Sequence, residues 1–336
     1  MPVYPIGKLP ARDLANLLTK YAPNDPRLLV GGSVGEDAAV IEMGDRYLVA
    51  KTDPITFATD EIGWYAVNIN ANDIACTGGT PRWFLATVLL PEHKSTLVLA
   101  DTILGQIYSA CAELGITLAG GHTEITYGLD RPLVIGQMLG EVSPENLVTT
   151  AGAQIGDDII LTKGIAIEAT AIIATEKRSI LLDFFSEDSL TDYANFLREP
   201  GISVVKDARL AVAAGGVHAL HDPTEGGVAT GLHEMAQAAN VGLEILAGQL
   251  PYLPETMALC RHFGLDPLGV IASGTLLIAA DSGYTGQIID RLKQAGIQAT
   301  VIGRVQPPEF GCRLVGEANS RPLPAFARDE ITRLFE

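Results

Sequence analysis

The chain is short of positive charge. Its 336 residues include 23 Lys or Arg against 40 Asp or Glu, a formal net charge of −17. Such a surface repels a nucleic-acid backbone and argues against a DNA or RNA partner. A free nucleotide could still bind, through a bridging cation or backbone N–H groups rather than a Lys/Arg clamp. Cysteine is scarce as well. Cys76, Cys111, Cys260 and Cys312 stand apart with no C-x-x-C pair. They form neither a zinc site nor a disulfide frame and read as buried small hydrophobes of a reducing cytosol. No run reaches the eighteen or so apolar residues of a membrane span. Met1-Pro2-Val3-Tyr4-Pro5 lacks a basic region followed by an apolar run, so no signal peptide is expected. The expectation is a cytoplasmic chain with neither membrane nor nucleic-acid partners. A G-x-x-x-x-G-K-[ST] loop and a strand-linked G-x-G-x-x-G are also missing, which removes support for P-loop and Rossmann readings.

What is present is a folded, glycine-rich composition, with 47% hydrophobic residues and 35 glycines. The length favours two α/β domains. The small, polar stretch Thr149–Gly156 marks a boundary near residue 150, giving domains 1–150 and 151–336. Leu14, Leu17, Leu18 and Tyr21 predict an amphipathic helix over 9–22. The Gly-rich turn Gly31–Gly35 leads into a strand over Ala38–Ile41 and, through Met43-Gly44-Asp45, a second over Tyr47–Lys51. A helix is predicted over 62–77, a buried strand over Arg82–Leu90 and a long helix over His93–Leu114. A strand over Ile116–Leu118 should end at Gly120-Gly121, and one over Pro132–Val142 should close the first domain. In the second half, strands are predicted at 157–162, 217–221, 275–279 and 298–302, with helices at 165–175, 203–214, 228–239 and 284–295. The acidic, aromatic residues 183–200 read as a surface crossing.

Acidic and amide groups gather at turns and strand ends. Asp37 closes the Gly-rich turn, and Asp53 follows Lys51-Thr52 and precedes a proline. Each could be a hard-cation ligand or a turn former capping local N–H groups. Asn70, Asn72 and Asp73 occupy the middle of a predicted helix, flanked by Val67, Ile69, Ile74 and Ala75. Mid-helix Asn and Asp are poor helix formers that usually face water, so apolar flanks point to a buried polar duty. Gly120-Gly121-His122-Thr123-Glu124 offers close backbone approach with three polar side chains, or else a tight turn with a capping threonine. His122 suits proton transfer better than Mg²⁺. At 221–227, His-Asp-Pro-Thr-Glu-Gly-Gly reads equally as an anion-binding helix start and a plain tight connection. Nothing in the sequence decides whether Lys51, Lys163 or Lys206 meets phosphate, since an exposed lysine is the commoner case.

Taken in order, Gly35-Glu36-Asp37-Ala38-Ala39-Val40, Lys51-Thr52-Asp53, Asn70–Ala75, Gly120–Glu124 and Asp222–Glu234 resemble the aminoimidazole ribonucleotide (AIR) synthetase-related, PurM-like superfamily. The likeness spans nearly the whole chain and is greatest to its hydrogenase-maturation, HypE-like branch. It implies an N-terminal domain whose four-stranded sheet pairs with a second subunit's to form a barrel, and a C-terminal α/β sandwich domain. It implies ATP and Mg²⁺ as cofactors, with Asp37, Asp53 and Asp73 on the metal. Gly35, Glu36, Asp37, Asn70, Asn72, Gly120, Gly121, Thr123, Thr224, Gly226 and Gly227 would line the nucleotide.

The implied chemistry is phosphoryl transfer that activates an amide or carbonyl-type oxygen of an acceptor. His122 and Glu124 are the catalytic candidates, and a maturation factor is a candidate partner beside the second subunit. Two departures stand out. The HypE-like branch carries a carbamoyl group on a terminal cysteine, whereas the last cysteine here is Cys312, 24 residues before Glu336 (336 − 312). His122 also stands where that branch and the thiamine-monophosphate kinases have aspartate. The carbamoyl dehydratase, a small-molecule kinase of the thiamine-monophosphate type and a non-catalytic ATP-binding partner therefore remain alternatives.

Overall fold

A computed structural model describes residues 4, 9, 11–21, 23–32, 35–55 and 60–335. Of Met1–Pro5, read above for a leader, all but Tyr4 lie outside them, as do Ser33-Val34 of the Gly-rich turn. The chain divides into two compact units. One comprises 25–31 and 37–147; the other comprises 1–24, 32–36 and 148–336.

The first unit is built on a six-stranded sheet in the order β1-β2-β3-β6-β4-β5. Its four long strands are β3 (Tyr47–Ile55), β4 (Thr80–Pro91), β5 (Thr117–Thr126) and β6 (Leu133–Val142), extended by the short β1 (Leu28–Val30) and β2 (Ala39–Glu42). β1 was not expected from the sequence. Only β4 and β5 run parallel here; the other neighbours are antiparallel. On one face lies α2 (Ile62–Cys76), buried along its whole length. Glycines let it come close: a side chain at Gly136 would strike Asn70, and one at Gly140 would strike Ile74. Alternation along the strands puts Val49, Phe84, Ala86, Val88, Val134 and Met138 under the helix.

Next to α2 packs α3 (Leu97–Leu114), whose start is capped by Thr96 accepting from the Leu99 N–H and whose end is Gly115 at φ 68°. By length and composition α3 could cross a membrane, with 18 residues of mean hydropathy 1.3, contrary to the expectation above. The sequence reading looked for an unbroken apolar run, which Asp101, Gln106 and Glu113 interrupt. In the structure Ile103, Ile107, Ala110 and Cys111 are buried, whereas Leu97, Val98 and Tyr108 are exposed.

The second unit begins with α1 (Ala11–Lys20), a helix where one was predicted, although Leu14, Leu17 and Tyr21 stay exposed. Its seven-stranded sheet has the order β13-β12-β9-β11-β7-β10-β8. The strands are β7 (Asp158–Thr162), β8 (Val217–His221), β9 (Gly242–Leu246), β10 (Leu277–Ala280), β11 (Ala299–Gln306), β12 (Cys312–Val315) and β13 (Ser320–Pro322). All neighbours are antiparallel except β9 and β12. The helices are α4 (Ile167–Glu176), α5 (Arg178–Leu181), α6 (Glu187–Ala194), α7 (Val205–Val212), α8 (Gly227–Ala239), α9 (Pro254–Phe263) and α10 (Thr285–Gln294). Residues 183–200 are thus no simple surface crossing. Ser186 caps α6 by accepting from the Ser189 N–H, and Leu190 and Leu197 are buried. The two sheets give the mixed α/β, two-domain fold expected.

Candidate functional site

In the first unit, two neighbouring elements gather carboxylates around one cation. Lys51 and Asp53 alternate with Val49 on the side of β3 that faces α2. The lysine Nζ lies 3.1 Å from Asp73 Oδ1, on α2, and 3.4 Å from Asp53 Oδ2. Asp73 is nearly enclosed, at 6% side-chain exposure, and Lys51 retains 20%. Burial lowers the pKa of Lys51, but the charges of Asp73, Asp53 and Asp37 outweigh it and hold the ammonium above the ordinary lysine range. Asp37, half-buried just before β2, also brings a carboxylate oxygen within 4.8 Å of the Cys76 sulfur at the end of α2. Asp53 and Asp73 thus meet at Lys51, and Asp37 lies near enough for its charge to act on the same ammonium.

Asn70 explains how α2 is locked in place. Its Oδ1 accepts from the Asp53 N–H at 2.9 Å, and its Nδ2 donates to the Ala66 and Asp53 carbonyls at 2.8 and 3.3 Å. The amide that was a candidate nucleotide contact is engaged in bracing the helix against the strand. Asn72 is also fully buried. The mid-helix Asn/Asp cluster does have the buried polar duty that its apolar neighbours implied.

Hard oxygen donors from separate elements suit Mg²⁺, and the ammonium between them shows that the place favours positive charge. Asp53 and Asp73 beside Lys51, and Asp37 close to Cys76, offer the oxygen donors that a divalent cation takes.

His122 and Glu124 lie elsewhere. The strand does not end at the glycine pair: β5 runs through Gly120-Gly121 to Thr126 at the edge of the sheet, and all of 119–125 is exposed. A side chain at Gly121 would strike the Ala86 backbone, so that glycine serves the close approach of β4 to a bulged β5. The register aligns Asp53, Gly136, Ala86 and Gly121 in one row, three strand spacings or about 14 Å from end to end. His122 is one residue further, and a single step along a strand reverses the face. His122 Nε2 and Glu124 Oε2 pair with each other at 3.2 Å on the face away from Lys51 and Asp53. Within one protomer the structure does not unite them, or Gly120 and Thr123, with the carboxylates.

The Gly-rich turn in the second unit is also engaged by protein. The Gly226 N–H donates to Asp329 Oδ2 at 2.7 Å, and the Gly227 N–H to the Thr224 carbonyl at 3.0 Å. Asp329 Oδ1 accepts from the Ile331 N–H at 2.8 Å. The expected anion seat of Thr224, Gly226 and Gly227 thus holds a carboxylate of the chain itself. Burial pushes Asp329 up to about 6 against three backbone hydrogen bonds that lower it, with Glu225 adding repulsion. Burial likewise pushes Glu168 up to about 7; Ser273 opposes this, and the charges of Asp329 and Glu225 add to it. Gly35 and Glu36 belong to this unit too. Glu36 Oε1 accepts from the Ala151 N–H at 3.3 Å, and a side chain at Gly35 would press on the Glu234 carbonyl. Lys163 and Lys206 donate to protein carbonyls, Lys163 to Gly201 and Ser203 and Lys206 to Ala295.

Family models for the AIR synthase related protein match the chain twice, the N-terminal domain over residues 35–142 and the C-terminal domain over 154–313. The chain belongs to the AIR synthase related family. Among curated relatives, a selenide, water dikinase of Paraburkholderia xenovorans is 33% identical, covering 74% of this chain and 68% of its own. A carbamoyl dehydratase HypE of Rhizobium leguminosarum bv. viciae is 30% identical, covering 81% and 77%. The fold matches a HypE–HypF complex at TM-score 0.76 and 20% identity, over 93% of this chain and 99% of that one. It matches AaThiL complexed with AMPPCP and TMP at 0.75 and 19%, over 98% of each. It matches HypE in complex with ATP at 0.73 and 21%, over 97% of each.

Two features of this AIR synthase related protein were missed in its sequence. Lys51 is the hub of the carboxylate group, and its neighbour Asp53 two residues on was the available signal, because i and i+2 share a strand face. Asp329 lies 103 residues from Gly226, and nothing local announces their pairing.

Proposed function

We propose that this protein is a Mg²⁺- and ATP-dependent enzyme that transfers a phosphoryl group to an amide or carbonyl-type oxygen of an acceptor. The observation that carries the reading is the meeting of Asp53 and Asp73 on the ammonium of Lys51, within reach of the charge of Asp37. The name of one relative, a dikinase, agrees with phosphoryl transfer. The nucleotide in two structures of the same fold supports ATP. Bound Mg²⁺ would neutralise phosphate charge at these carboxylates. The chain's own part is positioning: Asn70 fixes α2 to β3, so Asp73 and Asp53 keep their spacing through the reaction. The acceptor oxygen would form the new P–O bond as the bond to the leaving ADP breaks.

The protein would act in the cytoplasm as a homodimer. Strand β5 is an exposed edge with Ile125 near its end and the exposed Tyr127 just beyond it, and the sheet face away from α2 leaves Leu85, Leu89, Ile135 and Leu139 half-exposed. Pairing with a second copy would cover both and bring His122 and Glu124 to the seam. A maturation factor is the further partner supported by the HypE–HypF complex of the same fold.

Calorimetry of ATP binding with and without Mg²⁺, with ADP release followed in the same sample, tests the reading. Binding that requires Mg²⁺ together with ADP release supports the enzyme. Binding without ADP release, in the presence of candidate acceptors, points to a non-catalytic assembly partner. No binding by folded protein overturns the ATP reading.

A further inference from the structure

A lysine is an unexpected residue for the centre of a metal site. Divalent ions need oxygen donors, and an ammonium repels them. Yet Lys51 lies between the proposed ligands, 3.1 Å from Asp73 and 3.4 Å from Asp53, with four-fifths of its side chain covered. It cannot be dismissed as a surface residue that happens to find a partner, because a buried cation is tolerated only where it is paired. Nor is its position loose. Lys51 pairs with Met138 and Asp53 with Gly136 across β3 and β6, and Asn70 bonds to Asp53 at both backbone N–H and carbonyl. The lysine stem therefore rises from a fixed floor into the carboxylates.

Resting on the metal-site reading above, we propose that Lys51 is a built-in cation of this site. Its ammonium supplies charge that a further divalent ion would otherwise carry, and it limits the site to one Mg²⁺ per chain. Asp53 and Asp73 with the ammonium between them leave a formal −1 (−2 + 1), too little charge to hold a second divalent ion. Without the lysine the same two carboxylates hold −2 and attract metal more strongly. Lys51 is a positioning and selectivity residue: it keeps the carboxylates spaced in the metal-free protein and sets how many ions enter.

The test uses the full chain and Mg²⁺ or Mn²⁺ alone, without nucleotide. Binding is followed by calorimetry, and thermal melting is measured in EDTA and in excess metal. Lys51→Met keeps the stem and removes the charge; Lys51→Arg keeps the charge; Asp73→Asn removes one ligand. Wild type and Lys51→Arg should bind one ion per chain. Lys51→Met should bind metal roughly tenfold more tightly or take up a second ion. It should also melt earlier than wild type in EDTA and recover in metal. Folding only in metal would give the same support, and if Lys51→Met folds in neither condition, Lys51→Gln carries the test. Unchanged stoichiometry, affinity and EDTA melting in the charge-removing variant overturn the role of Lys51. If Asp73→Asn nevertheless loses metal, the metal site itself stands. If wild type binds no metal at all, the underlying reading fails instead.

Discussion

In the unit built on the six-stranded sheet, Asp53 and Asp73 flank the ammonium of Lys51, and the charge of Asp37 also acts on it. In the unit built on the seven-stranded sheet, Glu168, Glu225 and Asp329 come together differently. Among the described residues no lysine, arginine or histidine forms an ion pair with Glu168 or Asp329, and burial pushes these two up to about 7 and about 6. Both groups bury acid, but one is provided with a cation and the other takes up protons. A buried carboxylate can escape its desolvation cost by either route, and only the first leaves the negative charge that a divalent ion needs. The proposed metal site thus differs from a structural latch, although both are built of carboxylates.

The sharpest way to break it is to remove charge from each side in turn. Asp73→Asn should weaken Mg²⁺-dependent ATP binding by roughly 100-fold, as for loss of a metal ligand or its close support. Glu168→Gln should leave that binding within about twofold. Calorimetry on both variants decides; equal losses would mean that the second cluster is part of the site.

The next effect is on stability and concerns the floor beneath Lys51. Gly136→Ala drives a methyl group into Asn70 and the Phe84 ring. Overpacking together with a broken buried amide should cost about 3 kcal/mol in urea unfolding. The loss should be accompanied by weaker metal binding, because Asn70 sets the spacing of Asp53 and Asp73. A well-folded variant with unchanged metal affinity would show that α2 does not need this seat.

Much of the cation side was legible in sequence. Asn70-x-Asn72-Asp73 among alanine, isoleucine and valine pointed to a buried polar duty on a helix, and α2 is buried at all fifteen positions. Asp37, Asp53 and Asp73 were all singled out, because hard-cation chemistry calls for oxygen donors from separate elements. The latch side was not legible. Glu168 stands in an apolar helix, Asp329 near the end of the chain, and their proximity is a product of tertiary packing. Gly120-Gly121 misled for a local reason: a glycine pair normally punctuates a strand, whereas here it admits a bulge within a parallel edge strand. The strands β9, β12 and β13 carry only 3–5 residues each, too few for alternation to stand out.

A smaller effect follows from the pH behaviour of Glu168. Its pKa in the folded protein, about 7, lies above the ordinary 4.5, so the folded state holds the proton more tightly than the unfolded chain. The associated stability is present in full below about 4.5 and is lost as pH rises through about 7. That difference corresponds to roughly 3 kcal/mol at most. Glu168→Gln removes the penalty of the buried charge. It should raise Tm by several degrees at pH 8 and change it little at pH 4, measured by scanning calorimetry. A gain of equal size at both pH values would mean that packing, not charge, is responsible.

The smallest effect tests whether the latch is coupled. Asp329→Asn keeps one carbonyl oxygen for either the Gly226 or the Ile331 N–H and turns an NH₂ toward the other, a loss of about 1 kcal/mol. At pH 5 that loss should show in full. Above pH 7 the variant also relieves a buried negative charge, so the net change should approach zero or reverse. Because the charge of Asp329 is one of the influences holding Glu168 up, its removal should move the pH at which stability falls away to a lower value. For the same reason the double variant with Glu168→Gln should gain less at pH 8 than the two single changes summed. Strict additivity, with an unmoved pH profile, would mean that Glu168 and Asp329 are buried near each other without sharing their charge.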